Sequence, residues 1–437
     1  MKLWEKTNTE FNKQIQSFTV GKDRELDLVL AKHDVRGSLA HIKMLESINL
    51  LSKEELDILT KGLQTIHQEI VDGEFKIQED VEDIHSQVEL VLTTRFGDIG
   101  KKIHSGRSRN DQILLDLKLF IREELQEIVD LIIQLINTLI DLSERYKGVL
   151  MPGYTHYQVA MPSSFGLWFG CYAESLVDDL QMILSAFKIT NKNPLGSAAG
   201  YGSSFPLNRK MTTELLGFDD LNWNVVYAQM GRGKTEKCVS DSLSSVATTL
   251  SKISQDICLY INQNFDFISF PSHLTTGSSI MPHKKNPDVF ELIRAKSNKI
   301  ISLSNQISLI TTNLSSGYHR DLQVIKESFI PTFMEIKECL SISKYSLEQI
   351  IIRDNIIGDK KYDYLFSVEE VNRLVVSGVS FRDAYKIVGD MIENGDFKPN
   401  YQINHTHEGS IGNLCNDQIL RMSEEIYSQF GFERIQQ

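Results

Sequence analysis

Five long tracts of the chain contain neither proline nor glycine, and they constrain the fold more than any other feature of the sequence. Such tracts predict helices, because nothing in them removes a backbone hydrogen bond or favours a turn. In the first tract, apolar residues recur at spacings of three and four along two stripes, which indicates a helix buried on two sides. The five tracts are residues 111–146, 171–193, 234–270, 288–316 and 332–357.

The first tract also predicts an oligomer. A helix over residues 111–146 is roughly 50 Å long at about 1.5 Å per residue, which is more than one small domain needs. We therefore expect part of its apolar surface to be shared between subunits. A monomeric bundle of long helices is the alternative that the pattern leaves open.

Two polar, loop-rich stretches predict the domain boundaries. They lie around residues 98–112 and at residues 358–364, where the sequence reads GDKKYDY. The sequence thus predicts a mainly α protein with three domains. These are a helical N-terminal domain over 1–102, a central long-helix bundle over 103–357 and a small helical C-terminal domain over 358–437.

Composition limits the classes of function. The 437 residues carry a net charge of −12 without a basic block, which argues against binding nucleic acid. The N-terminus lacks an apolar signal core, and no run of about 18 uncharged apolar residues exists to span a membrane. Five widely spaced cysteines without a Cys-x-x-Cys pair suit reduced thiols rather than disulfides or zinc. We therefore expect a cytoplasmic protein.

Two segments at the ends of the first long tract concentrate functional side chains. Residues 103–112 read IHSGRSRNDQ, and their hydroxyls, guanidinium groups and helix-start N–H groups suit a carboxylate. Residues 151–158 read MPGYTHYQ, in which His156 is a candidate general acid or base near neutral pH. The alternatives are an ordinary helix cap at Ser108 and a structural hydrogen-bonding role for the histidine.

A third segment, residues 277–287, has the composition of a mobile flap that closes over an anion. It reads GSSIMPHKKNP, with hydroxyls, two lysines and an amide set between a glycine and two prolines. Gly277 is expected to allow backbone angles that a side chain forbids. Glu291 follows on the predicted helix, where it is a candidate for orienting an imidazole. A solvated turn is the alternative for any one of these residues alone.

Together the three segments resemble the argininosuccinate lyase family of the fumarase/aspartase superfamily. The motifs GRSRNDQ, PGYTHYQ and GSSIMPHKKNP occur in the family's order, and the likeness extends from about residue 19 to residues 381–389. Residues 108–112, SRNDQ, separate this family from its sisters, which carry different first motifs. The flap is shared by the whole superfamily.

The resemblance implies a fumarase/aspartase-like fold whose central helices form the core of a homotetramer, with active sites shared between subunits. It also implies cleavage of argininosuccinate to arginine and fumarate without cofactor or metal. In that reaction Ser278 is the base, His156 the acid or its water-mediated relay, Glu291 polarises the imidazole and Lys284 stabilises developing charge. The implied substrate-binding residues are Thr19, Asp83, His85, Ser108, Arg109, Asn110, Thr155, Asn286, Tyr318, Gln323 and Lys326.

The residue types suit that chemistry. Removing a proton next to a carboxylate gives a dianionic intermediate, which only concentrated positive charge and N–H donors make accessible. Serine is a poor base unless a closed, water-poor flap and oriented donors stabilise its alkoxide. The leaving nitrogen needs a proton, and an imidazole held by a carboxylate is a reasonable source.

Several positions depart from the family pattern. Residues 5–8, residues 196–202 and His283 differ from the usual family sequence, and 196–202 is expected to be a flexible loop of small residues. Residues 231–235, GRGKT, are similar to a phosphate loop but lack its leading glycine, so they predict a polar helix start.

Two other functions stay open. One is a sister lyase that acts on another succinyl adduct such as adenylosuccinate, to which the histidine at position 283 also fits. The other is a catalytically silent structural protein on the same scaffold, as in lens crystallins. The presence of Ser278, His156 and Lys284 together disfavours the silent protein.

Overall fold

A computed structural model describes residues 13–434, and the departures at 5–8 lie outside these described residues. The N-terminal part is helical and has its own apolar core, which extends from Ala31 to Ile103. Its third helix begins at a capping box in which the side chains of Ser52 and Glu55 each accept a backbone N–H of the other residue. The helices are α1 (Lys13–Val20), α2 (Asp23–Ser47), α3 (Lys53–Val71), α4 (Ile84–Phe96) and α5 (Asp98–Lys101).

The central part is a bundle of five long helices joined by short elements. All five tracts without proline and glycine form long helices, so the prediction of a mainly α fold is confirmed. The longest, α6, is buried along most of its length and contributes much of the main core. The helices are α6 (Arg109–Arg145), α7 (Phe165–Thr190), α8 (Arg209–Leu215), α9 (Val225–Met230), α10 (Lys234–Tyr260), α11 (Asp288–Thr311) and α12 (Ile325–Leu347).

Several predicted helix limits were wrong. The third tract was expected to be helical to residue 270, but α10 ends at Tyr260. The segment that follows is rich in aromatic residues and folds back on the helix, where the N–H of Phe267 donates to Tyr260 O. The fifth helix begins before Pro331, which lies inside α12. Proline removes one helical hydrogen bond, and the burial of Phe329 and Phe333 on the same helix offsets that loss.

Within residues 13–434, eight short strands form four two-stranded sheets. The largest is the antiparallel hairpin of β1 and β2, while β3 pairs with β4, β5 with β8 and β6 with β7. Their bounds are β1 (Leu150–Thr155), β2 (Gln158–Ser164), β3 (Lys192–Asn193), β4 (Asp220–Leu221), β5 (Ile268–Ser269), β6 (Thr276–Gly277), β7 (Lys285–Asn286) and β8 (Ile351–Ile352).

The C-terminal part consists of a small helix pair and a last helix that returns to the bundle. The helices are α13 (Ser367–Val376), α14 (Phe381–Glu393) and α15 (Asn416–Ser428). A small core of Val371, Ala384 and Val388 joins α13 to α14. In contrast, α15 is fixed to α6 by a buried hydrogen bond from Asn416 Nδ2 to Ser143 Oγ, at 3.0 Å.

Successive long helices run in opposite directions, so the bundle has two distinct ends. The near end is where α6, α10 and α12 begin and where α7 and α11 end. Contacts across this end include Lys118 Nζ to Lys192 O at 2.8 Å and Arg232 Nη2 to Leu322 O at 3.1 Å. At the far end, where α6 finishes, the pairing of β5 with β8 joins the segments after α10 and α12. In the described part of the chain, no helix is long and apolar enough to cross a membrane.

Two buried histidines on α2 predict that acid destabilises the fold. Burial lowers the pKa of His33 to about 3 and lowers that of His41 well below its ordinary value. Below pH about 6.5 the unfolded chain binds protons at these histidines that the folded chain does not. The free energy of unfolding therefore decreases as the pH is lowered, by up to about 1.4 kcal/mol per pH unit per histidine. Thermal unfolding followed at pH 7.5 and pH 5.5 measures this loss.

The variant His33→Leu provides the control, because it removes one of the two proton-binding groups without adding another. Its melting temperature should fall less between pH 7.5 and pH 5.5 than that of the unchanged protein. An equal fall in the two proteins would show that other groups cause the acid sensitivity.

Candidate active site

A cavity of about 110 Å³ lies at the near end of the bundle. Five separate parts of the chain meet there: the start of α2, the segment that leads into α4, the first turns of α6, the segment before α10 and the segment from the end of α11 to the start of α12. It brings together seven predicted site residues, and charged groups dominate its wall. The lining residues are Asp23, Asp27, Glu82, Asp83, His85, Arg109, Asn110, Ile113, Arg232, Tyr318, Arg320, Gln323 and Lys326.

Three cations of the cavity wall, Arg109, Arg320 and Lys326, are paired with carboxylates from other segments. Lys326 is buried and lies 2.8 Å from Asp23 Oδ1 and 2.7 Å from Asp27 Oδ1. Burial lowers the pKa of Lys326, but the two carboxylates outweigh this effect and raise it. Arg109 Nη1 lies 2.6 Å from Asp83 Oδ2 and 3.1 Å from Glu82 Oε2. The wall therefore offers both signs of charge at short range.

Gln323 and Arg320 hold the C-terminal end of α1 against the cavity. Gln323 Nε2 donates to Thr19 O at 3.0 Å and to Val20 O at 3.2 Å. Arg320 Nη2 also donates to Thr19 O, at 2.9 Å. The hydroxyl of Thr19 donates to Ile15 O within α1, at 3.0 Å. A substrate-binding role for Thr19 and Gln323 remains a prediction.

Ser108 caps α6. Its hydroxyl accepts the N–H of Asn110 at 3.2 Å, and its own N–H donates to Asp111 Oδ1 at 2.8 Å. The other oxygen of Asp111 accepts the N–H groups of Gly196 and Ala198, at 3.0 and 2.9 Å. Burial raises the pKa of Asp111 to about 6, against the lowering effect of these hydrogen bonds.

The loop of small residues at 196–202 was predicted to be flexible, and the structure corrects this. Besides the two bonds to Asp111, Gln229 Nε2 donates to Ser197 Oγ at 3.1 Å and to Ala198 O at 3.2 Å. Gly196, with φ +82°, takes a left-handed conformation that suits glycine. Small residues are therefore needed here for close backbone approach, not for motion.

At the far end, His156 occupies the tip of the β1–β2 hairpin. Thr155 pairs with Gln158, so the loop consists of His156 and Tyr157, both with positive φ of 55° and 60°. Glycine and asparagine favour such a turn, and other residues adopt it at a cost of about 1–3 kcal/mol each. Both side chains are exposed. A strained backbone is typical of functional sites, so this turn favours the predicted role of His156. The hydrophobic pattern of the sequence does not reveal such strain.

The flap, residues 277–287, is anchored to the far end through β6 and β7. Within it, Ser278 Oγ accepts two backbone N–H groups, those of Ile280 at 3.3 Å and Met281 at 3.1 Å. Asn286 Nδ2 contacts Gly277 O at 3.5 Å across the strand pair. The predicted need for an unusual backbone at Gly277 was wrong, because its φ is not in the left-handed region and a Cβ there meets nothing within 4 Å.

The predicted catalytic residues all lie at the far end, away from the cavity. Glu291 is exposed in the first turn of α11, next to the flap. Within the described residues of one chain, no hydrogen bond joins Glu291 to His156. The length of α6, about 55 Å at 1.5 Å per residue, separates His156 from Asn110. The near-end and far-end groups of one chain therefore lie too far apart to act on one small molecule.

Among the described residues, one group brings three possible metal ligands together. The ligand atoms of Asp34, His85 and Asp116 lie within 4.8 Å of one another, beneath the cavity. His85 Nδ1 lies 2.7 Å from Asp34 Oδ1 and 3.6 Å from Asp116 Oδ2. We interpret the group as an ion-pair cluster, because the nearby carboxylates keep a proton on this nitrogen.

Sequence reasoning missed several charged residues of the cavity wall. Glu82 precedes a predicted residue, while Arg320 lies inside the segment GYHRDLQVIK that contains three of them. Glu82 and Arg320 form an ion pair of 2.8 Å across 238 positions of sequence. Asp23 and Asp27 share one face of α2, four residues apart, and that spacing is the signal that points to a common partner.

Comparisons with known proteins show the family to which the chain belongs. A family profile described as lyase matches residues 6–302. The argininosuccinate lyase of Bacteroides thetaiotaomicron is 63% identical over 431 residues, covering 99% of this chain and 96% of that protein. The chain belongs to the argininosuccinate lyase family. The family member from Thermotoga neapolitana is 36% identical over 389 residues, covering 89% of this chain and 98% of that protein.

Solved structures show the fold of the wider superfamily. A class II fumarase from Schistosoma mansoni matches with a TM-score of 0.74 at 17% identity, over 94% of this chain and 95% of that one. EDDS lyase in complex with formate matches with a TM-score of 0.73 at 20% identity, over 98% and 92%. The fumarase/aspartase-like fold expected for this member of the argininosuccinate lyase family is thereby confirmed.

Proposed function

We propose that this protein cleaves the C–N bond of argininosuccinate by β-elimination, giving arginine and fumarate. The observation that carries the proposal is the identity of 60% or more, over nearly the whole chain, to relatives named argininosuccinate lyase. The geometry supports it with a hydroxyl prepared to act as a base and with a cavity suited to a zwitterion.

Ser278 is the base in this proposal. An alkoxide needs stabilisation, and the hydroxyl oxygen already accepts two backbone N–H groups, from Ile280 and Met281. These donors act in the same way as an oxyanion hole, because they face the oxygen before the charge develops. Closure of the flap over substrate excludes water and strengthens the effect. Lys284, on the same flap, stabilises the dianionic intermediate.

His156 supplies the proton that the leaving nitrogen requires, directly or through water. The hairpin tip presents the imidazole to solvent at the end of a rigid two-residue turn. Glu291 polarises this imidazole from a neighbouring subunit. Thr155 and Asn286 bind the succinyl carboxylates together with Ser108, Arg109 and Asn110 of another subunit.

The near-end cavity takes the amino-acid end of the substrate. An α-amino acid carries an ammonium and a carboxylate on one carbon, and the wall offers Asp23 and Asp27 beside Lys326. Tyr318 and Gln323 line the same space and add hydrogen-bonding groups. No metal or cofactor takes part in the proposed reaction.

The proposed active unit is a homotetramer in the cytoplasm. Because near-end and far-end groups are separated by the length of α6, a complete site requires the near end of one subunit and the far end of another. The exposed, partly apolar outer face of α11, with Leu292 and Leu309, supplies surface for such packing.

The test is release of fumarate, followed by its ultraviolet absorbance, with argininosuccinate and adenylosuccinate offered separately. We expect turnover with argininosuccinate alone. Turnover with the nucleotide alone would establish the sister lyase instead, and no turnover with either would favour the silent structural protein.

A further inference from the structure

His85 lies between the cavity and a buried pair of carboxylates. Its side chain is only 4% exposed and belongs to the cavity wall. On the side away from the cavity, its Nδ1 is hydrogen-bonded to Asp34 Oδ1 at 2.7 Å, and Asp116 Oδ2 lies at 3.6 Å. The two nitrogens of an imidazole point away from each other. Nε2 is therefore the nitrogen that remains for a ligand in the cavity.

The two carboxylates lie at different distances from the imidazole, and the nearer one, Asp34, is hydrogen-bonded to it. Burial lowers the pKa of His85, but Asp34 above all, followed by Asp116 and Asp83, raises it to about 9. Burial and the neighbouring charge of Asp34 raise the pKa of Asp116 well above its ordinary value. Asp34 is therefore the carboxylate that does most to keep His85 protonated at neutral pH.

Other buried histidines in the same part of the chain show that the carboxylate decides the charge. His41, on the same helix as Asp34, bonds to Ser105 O at 2.8 Å, and burial keeps its pKa well below the ordinary value. His33 is also buried and has its pKa lowered to about 3. His85 differs from both in the carboxylate at hydrogen-bond distance from Nδ1.

Further charged or titratable groups surround the cluster. They belong to α2, to the segments before α4 and α6, to α6 itself and to α12. They are Asp27, Asp83, His104, Arg107, Arg109 and Lys326. Arg109 is paired with Asp83 and Lys326 with Asp27, while Asp34 is the carboxylate hydrogen-bonded to His85 and also attracts the buried Arg107.

We propose that Asp34 is a positioning residue that holds His85 as an imidazolium with its Nε2–H directed into the cavity, where it binds a carboxylate of the substrate. This inference rests on the proposed function. A charged N–H donor binds a carboxylate more strongly than a neutral one. A neutral imidazole protonated on Nδ1 would instead present a lone pair to the same carboxylate and repel it.

The first experiment measures the charge of His85 in the unchanged protein. Imidazole ¹³C and ¹⁵N chemical shifts report the charge of each histidine, and the spectrum of His85→Gln identifies the His85 signal by its loss. We expect His85 to remain protonated at pH 8 and His41 to remain neutral at pH 6, which makes His41 an internal control. A His85 signal that is neutral at pH 7 would overturn the proposal.

The second experiment compares Asp34→Asn with its matched control, Asp116→Asn. Both replacements conserve size, but only the first removes the carboxylate that is hydrogen-bonded to Nδ1 of His85. In Asp34→Asn we expect KM to rise about tenfold or more from pH 6 to pH 8, because only the protonated fraction of His85 binds, with kcat changed by less than about threefold. In Asp116→Asn, KM should keep the pH dependence of the unchanged protein.

Product inhibition shows which carboxylate His85 binds. Weakening of inhibition by fumarate alone assigns the succinyl end, and weakening of inhibition by arginine alone assigns the amino-acid end. Equal pH profiles for the two variants would refute the role of Asp34, as would activity that a chelator removes and a divalent cation restores. If Asp34→Asn does not fold, the titration of His85 decides. If the unchanged protein releases no fumarate, the proposed function fails, and the charge of His85 is still measured separately.

Discussion

Replacing Ser278 with alanine is expected to lower kcat by about 10³-fold or more, because the proposed reaction then loses the base that removes the carbon-bound proton. The hydroxyl oxygen accepts the N–H groups of Ile280 and Met281, and both become free to bond with water when it is removed. The flap is exposed, so this loss costs little stability. Fumarate release gives the rate, while circular dichroism and light scattering check the fold and the oligomer.

The neighbouring serine provides the control. Ser279 is exposed, lies one residue further along the flap and accepts no backbone N–H in the described structure. Ser279→Ala should therefore retain kcat within about threefold, as is usual for a surface substitution. Retention of more than about a tenth of the activity in Ser278→Ala would remove this serine from the role of base.

The helices were predictable because their signals are local. A long tract without proline or glycine and with apolar residues at spacings of three and four has few other ways to fold. Pro331 shows the limit of such reasoning, since α12 continues through it where Phe329 and Phe333 are buried. The two-residue strands were not predicted, because pairs such as Ile268 with Ile352 exist only through the packing of distant helix ends.

The site was predictable where its chemistry lies within one motif. The flap, the hairpin and the start of α6 each concentrate hydroxyl, amide and charged groups in about ten residues. The ion pairs of the cavity wall were not predictable, since Glu82 and Arg320 are 238 positions apart and each resembles an ordinary surface charge alone. The strained turn at His156 was also missed, because its φ angle appears only once the hairpin is built.

Mixing two inactive variants is expected to restore activity, and this prediction follows from the separation of the two ends. Asn110→Ala damages the near end, and Ser278→Ala damages the far end. The two ends are separated by the length of α6, about 55 Å. If each site takes its near end from one subunit and its far end from another, random mixed oligomers contain undamaged sites. About a quarter of the sites then combine the undamaged near end of Ser278→Ala with the undamaged far end of Asn110→Ala.

The measurement is fumarate release after the two variants are dissociated together and reassembled, with each variant treated alone as the control. A mixture of Ser278→Ala with Lys284→Ala serves as a second control, because both damage the flap, so every site assembled from these variants is defective. Recovery in the first mixture and none in the second would support sites shared between subunits. If both mixtures stay equally inactive, sites shared between subunits are contradicted. The near-end and far-end groups would then have to meet within one chain, which the length of α6 does not allow.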